Sequence, residues 1–113
     1  MIDPTISVKH PRPGAAVVEL LGEHDVAEKE RLQMLVHQLV ASNDLVVVDV
    51  SEAEFIDSSV IGTLFEGARM AKQLGASFRL QTGTATIVRR ALEVSGILEA
   101  LDVANSRQEA LAE

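Results

Sequence analysis

The segment V-V-V-D-V-S-E-A-E-F-I-D-S-S-V-I-G-T-L, residues 46–64, decides the fold. With Leu45 before it, its first part is a short, continuous apolar run over 45–50, the pattern of a strand buried on both faces. Its last part starts a helix, because Ile61, Leu64, Phe65, Ala68 and Ala71 recur at helical spacing. Gly75 then stands where a left-handed C-cap belongs, so the spacing predicts a helix over 59–74. Between strand and helix lies F-I-D-S-S, Phe55 to Ser59, which puts an acid and two hydroxyls at the handover.

The flanks read as more of the same architecture. Ile6, Val8 and His10 alternate with polar positions, Pro11-Arg12-Pro13-Gly14 breaks the run, and 15–21 reads as a second strand, so the N-terminus is an edge hairpin. Leu32, Leu35, Val36 and Leu39 give a helix from about 26 to 40, ended by Ser42-Asn43-Asp44. A strand is expected over 77–81. A third helix is capped by Thr86, turns Ile87, Ala91 and Val94 inward and closes at Gly96. A short strand over 101–104 follows, and Ser106-Arg-Gln-Glu109 is a capping box opening a terminal helix. The order β-β-α-β-α-β-α-β-α predicts an α/β fold: a mostly parallel sheet with an antiparallel N-terminal edge hairpin, about four helices and right-handed crossovers. Sites in such sheets gather at the carboxyl ends of strands, here G-E-H-D (22–25) and F-I-D-S-S.

The chain's 113 residues suit one domain, 1–113, and 47% hydrophobic residues suffice for a core. A net charge of −7, with Arg89-Arg90 the only adjacent basic pair, argues against nucleic acid as a direct partner. Trp and Tyr are absent, which removes stacking platforms, and there is no cysteine for disulfides or thiolate chemistry. No apolar run approaches the roughly 20 residues that span a bilayer, and M-I-D-P-T lacks a basic-then-apolar signal pattern. No membrane insertion and a cytoplasmic location are the expectations. Neither G-x-x-x-x-G-K-[ST] nor G-x-G-x-x-G occurs, so no nucleotide cofactor is expected. Glu23, Asp25 and Asp57 would hold a metal only if they converged, and acid-rich loops are ordinarily solvated, so no metal is expected either.

Three readings compete for Asp57-Ser58-Ser59. Helix capping explains one of the residues, since Asp and Ser oxygens accept bonds from unpaired amides for roughly 1 kcal/mol each. Nucleophilic catalysis with His24-Asp25 as base and orienter fits poorly: adjacent residues are badly placed for that bond, and no glycines flank the serines. Phosphorylation suits the position, because a helix N-terminus tolerates phosphate and the added charge would land beside Asp57 and, if the strand ends are neighbours, Asp25. His24 is read as an exposed loop residue next to the site, and Arg89 and Arg90 as solvent-facing.

Residues 46–64, with the early strand ending in G-E-x-D and the late I-V-R-R-A-L-E-V-S-G-I-L (87–98), resemble the STAS domain, especially the anti-sigma factor antagonists of bacterial partner-switching systems. The resemblance implies a non-enzymatic regulator of transcription and stress response. In that family the serine after the aspartate is phosphorylated by an anti-sigma factor that is itself a serine kinase using ATP and magnesium, and that position is Ser58. The unmodified form binds the kinase and frees the sigma factor, the phosphorylated form lets go, and a serine phosphatase resets the cycle. Asp25 and Asp57 match acids near the docking surface, where His24 and Val60 also fall. Ser59 becomes the helix cap or a secondary phosphorylation site. Similar domains also act as unphosphorylated binding modules in transport or signalling complexes, and in that alternative Ser58 only caps.

Overall fold

The computed structural model describes residues 5–84 and 86–112. Strands β1 (Ile6–Arg12) and β2 (Ala15–Leu20) form the expected antiparallel hairpin, with Gly14 in the left-handed region at φ 79° at its turn. After β3 (Gly22–His24) and a 3₁₀ turn (Val26–Glu28) come α1 (Lys29–Ser42) and β4 (Leu45–Asp49). Next follow β5 (Ala53–Ile56), α2 (Ser58–Leu74) and β6 (Ser77–Gln81). The chain continues through α3 (Thr86–Ser95), α4 (Ile97–Ala100), β7 (Asp102–Ala104) and α5 (Arg107–Ala110).

The main sheet runs β1-β2-β4-β6-β7, and every pairing after the hairpin is parallel. Alternation along these strands builds two cores. Ala16, Val18 and Leu20 of β2, Val46 and Val48 of β4, and Phe78 and Leu80 of β6 face the side covered by α1 and α2. Their neighbours Ala15, Val17, Leu45 and Val47 face the other side, where Ala110 of α5 and Leu111 pack on them. A strand buried on both faces carries apolar residues on both, which is why 45–48 shows no alternation.

The architecture differs from the sequence reading in four places. The helix expected from 26 begins as a 3₁₀ turn, and α1 proper starts at Lys29, because the Asp25 carboxylate caps the turn by accepting from the Ala27 amide at 2.9 Å. Among the described residues there are five α-helices rather than four: Gly96, at φ 80°, ends α3 and redirects the chain into α4. β3 and β5 form a small parallel sheet of their own. In α3 the inward stripe is Val88 and Leu92, while Ile87 and Val94 are 69% and 80% exposed. The expected cap at Thr86 has its side chain outside the described residues. Ser106 caps the last helix as read, accepting from the Glu109 amide at 3.1 Å.

Three strand ends are tied together from outside the sheet. Glu19, Asp49 and Gln81 occupy one register row across β2, β4 and β6, and Arg107 of α5 donates to all three, at 2.8, 2.6 and 2.8 Å. The Arg107 hydrogen bond holds the Glu19 carboxyl below its ordinary range, against the opposing effect of burial. The other oxygen of Asp49 accepts from the Ser51 amide at 2.8 Å, which turns the chain out of β4 toward β5.

Candidate functional site

The small β3–β5 sheet brings G-E-H-D and F-I-D-S-S together. Glu23 lies opposite Phe55 and His24 opposite Ile56, and the Asp57 amide donates to the His24 carbonyl at 2.9 Å. The two acids that follow, Asp25 and Asp57, therefore leave adjacent strand ends. Each is spent on a cap: Asp25 on the 3₁₀ turn, and Asp57 on α2, where it accepts from the Ser59 amide at 2.8 Å. That amide bond holds the Asp57 carboxyl below its ordinary range, so the residue beside the serines stays anionic. Among the described residues, no three or more His, Asp or Glu side chains group to hold a metal.

The two serines divide. Asp57, not Ser59, is the N-cap, so the capping expectation for Ser59 is corrected. Ser59 Oγ is buried, which also sets it apart from an accessible second phosphorylation site, and its carbonyl accepts from the Thr63 hydroxyl at 3.2 Å. Ser58 is the first residue of α2 and is exposed. Asp57 supplies both the side chain and the backbone that start the helix, leaving Ser58 free to point out.

Two further expectations change. Val60 has no exposed surface and packs in the core rather than on a docking surface, because its position on α2 faces the sheet together with Leu64. His24 is not an exposed loop residue but is fully buried. Its Nδ1 lies 2.7 Å from Glu28 Oε2, and its Nε2 lies 3.0 and 3.2 Å from the Leu21 and Thr5 carbonyl oxygens. His24 thus joins the residue before β1, the link between β2 and β3 and the turn before α1 beneath the site. Being in the small sheet forces this: with Glu23 pointing out, the next side chain must point in.

Beside Ser58 runs a groove of about 490 Å³. Ile56 and Ile61 line one part of it, and Ile87, Ala91 and Val94 of α3 line another, with Arg90 among them. Sequence reading missed this groove, although α3 carried the signal: it has two apolar stripes, 88/92 and 87/91/94, and the sheet can cover only one.

The STAS domain family matches the chain over residues 7–110. The chain belongs to the STAS domain family. Solved STAS structures share its fold across nearly the whole length. An anti-sigma factor antagonist from Mycobacterium paratuberculosis is 23% identical with a TM-score of 0.82, covering 98% of this chain and 96% of that one. The anti-sigma factor antagonist SpoIIAA in its unphosphorylated form is 18% identical with a TM-score of 0.80, covering 94% and 92%. The Bacillus cell fate determinant SpoIIAA in its phosphorylated form is 17% identical with a TM-score of 0.70, covering 94% and 96%. At these identities the likeness establishes the STAS fold. Among the described residues, no helix is long and apolar enough to cross a membrane.

Proposed function

We propose that this STAS domain is an anti-sigma factor antagonist whose partner binding is switched at Ser58. The observation that carries the reading is the exposure of Ser58 on the first turn of α2 while Asp57 does the capping, next to an apolar groove that the fold leaves open. A serine needed only as a cap would have its oxygen on a backbone amide, and here Asp57 holds that amide. A related fold, SpoIIAA, exists in unphosphorylated and phosphorylated forms, which supports the same chemistry here.

In this reading the chain is the substrate and not the enzyme. The partner, an anti-sigma factor serine kinase, brings ATP and magnesium. Ser58 Oγ attacks the γ-phosphorus, the bond to ADP breaks, and the hydroxyl proton leaves to a base of the kinase. The product carries about −1.5 to −2 charges at a surface that must be desolvated for binding, beside an Asp57 already ionised, so the kinase is released. A serine phosphatase restores the unmodified form. Asp25 and Asp57 shape the docking edge through their caps, and the cycle takes place in the cytoplasm.

Intact-mass analysis of the chain from its native host, growing and stressed, followed by peptide mapping, tests the proposal. A single phosphoryl group on Ser58 that varies with condition supports it. A chain unmodified in every condition would sink it and favour a constitutive binding module of a transport or signalling complex. With the kinase in hand, Ser58→Ala is expected to bind without release and Ser58→Asp to bind more weakly.

A further inference from the structure

A phosphate on Ser58 would find the start of α2 already in use. The Asp57 side chain accepts from the Ser59 amide at 2.8 Å, and its carbonyl accepts from the Val60 and Ile61 amides at 3.0 and 3.2 Å. The Ser59 and Val60 amides, which would otherwise help to bind an anion at a helix N-terminus, are thereby engaged. A phosphoryl group there therefore sits beside an anionic carboxylate, and its positive partner must come from another element.

The groove supplies one such group. Its lining carries a single cation, Arg90, and no carboxylate. Arg90 is exposed and makes no ion pair or hydrogen bond among the described residues. Its neighbour Arg89 is engaged, lying 3.7 Å from Glu93 one turn along α3. The Arg90 guanidinium, set among Ile87, Ala91 and Val94 and unpaired among the described residues, is available to an anion in the groove. A guanidinium also matches phosphate geometry, offering two parallel donors to two oxygens.

We propose that Arg90 is the internal counter-ion of phosphorylated Ser58: the guanidinium turns across the groove onto the phosphate, ties the start of α2 to α3 and closes the groove mouth. The inference rests on Ser58 as the modified residue. It makes partner release a matter of shape as well as charge, because the apolar walls open in the unmodified protein lie under an ion pair in the modified one. It also makes Ser58→Asp an incomplete mimic, since a short carboxylate carries one charge and does not reach as a phosphate does.

The test installs phosphoserine at position 58 of the full chain by an expanded genetic code and follows the phosphate by ³¹P NMR against pH. An exposed phosphoserine loses its second proton near pH ~6. An opposite charge favours the dianion, so the acid dissociation constant of the wild-type phosphate is expected to exceed that of Arg90→Gln by about threefold or more. Arg90→Lys is expected to keep part of the difference, and Arg89→Gln all of the wild-type value. Equal titration of wild type and Arg90→Gln overturns the inference, as does an equal shift in Arg89→Gln. All three positions changed are exposed, so the variants fold. Because the phosphoserine is incorporated during synthesis of the chain, this result is independent of whether the native chain is modified, which the mass measurement decides.

Discussion

Replacing Arg107 by alanine probes whether the polar clamp on the strand ends supports the site. The guanidinium meets Asp49 at 2.6 Å, where that side chain is only 6% exposed, and Glu19 at 2.8 Å, where it is 18% exposed. Removing the cation leaves the Asp49 carboxylate buried with one remaining bond, from the Ser51 amide. Breaking a fully buried pair costs about 3–5 kcal/mol, and since Arg107 and Glu19 keep some solvent the expectation here is about 2–3 kcal/mol. With a urea m-value of about 1.5 kcal/mol/M, the midpoint falls by roughly 1.3–2 M at unchanged m. The joint change Glu19→Gln, Asp49→Asn, Arg107→Met is expected to cost far less, because no charge is stranded. The Glu19 carboxyl lies below its ordinary range in the folded state, so it stabilises the fold above that range and loses the contribution as pH falls through the folded value. Arg107→Ala therefore also flattens the acid limb of the stability profile. A midpoint within about 0.3 M of wild type would show that solvent already screens the clamp, and the reasoning would fail.

Gly67→Ala places a methyl 2.6 Å from Val36 Cγ1 and 2.9 Å from Phe78 Cε2, where α2 crosses α1 and β6; overpacking is expected to outweigh the gain in helix propensity and lower stability by about 1–3 kcal/mol in a urea melt. Asp57→Ala removes the cap of α2 and is expected to raise amide exchange selectively in the first turn, with Ser59→Ala leaving that exchange near wild type. His24→Leu strands Glu28 Oε2 and the Leu21 carbonyl oxygen in the interior, while the Thr5 carbonyl keeps the Leu21 amide; a loss of about 2–4 kcal/mol by chemical denaturation is expected, and a neutral outcome would mean water replaces the ring.

Elements with a strong period or a defined cap were legible. The expected helix over 59–74 is Ser58–Leu74, ending at Gly75 with φ 77°, and the strand over 77–81 is Ser77–Gln81. Strands β3 and β5, at three and four residues, are too short to show any period, and their pairing is a long-range choice. That choice explains why His24 was misread: its burial follows from pairing with β5, which no residue near it in the chain announces. The resemblance implies Ser59 as the cap, but Asp, Ser and Ser are all competent caps, and only the backbone path selects Asp57 among them.

The sequence by itself determined the α/β class, the doubly buried strand at 45–50 and the helix that begins at Asp57-Ser58-Ser59, because burial pattern and capping chemistry are local properties. Only the tertiary structure decided which side chains meet. The register of β3 on β5 brings Asp25 beside Asp57, and the sheet accepts the 88/92 stripe of α3 while leaving 87/91/94 to line a groove. A helix with two apolar faces can bury either one, and packing against the other elements breaks that tie. Here that choice leaves Arg90 in the same groove as Ser58.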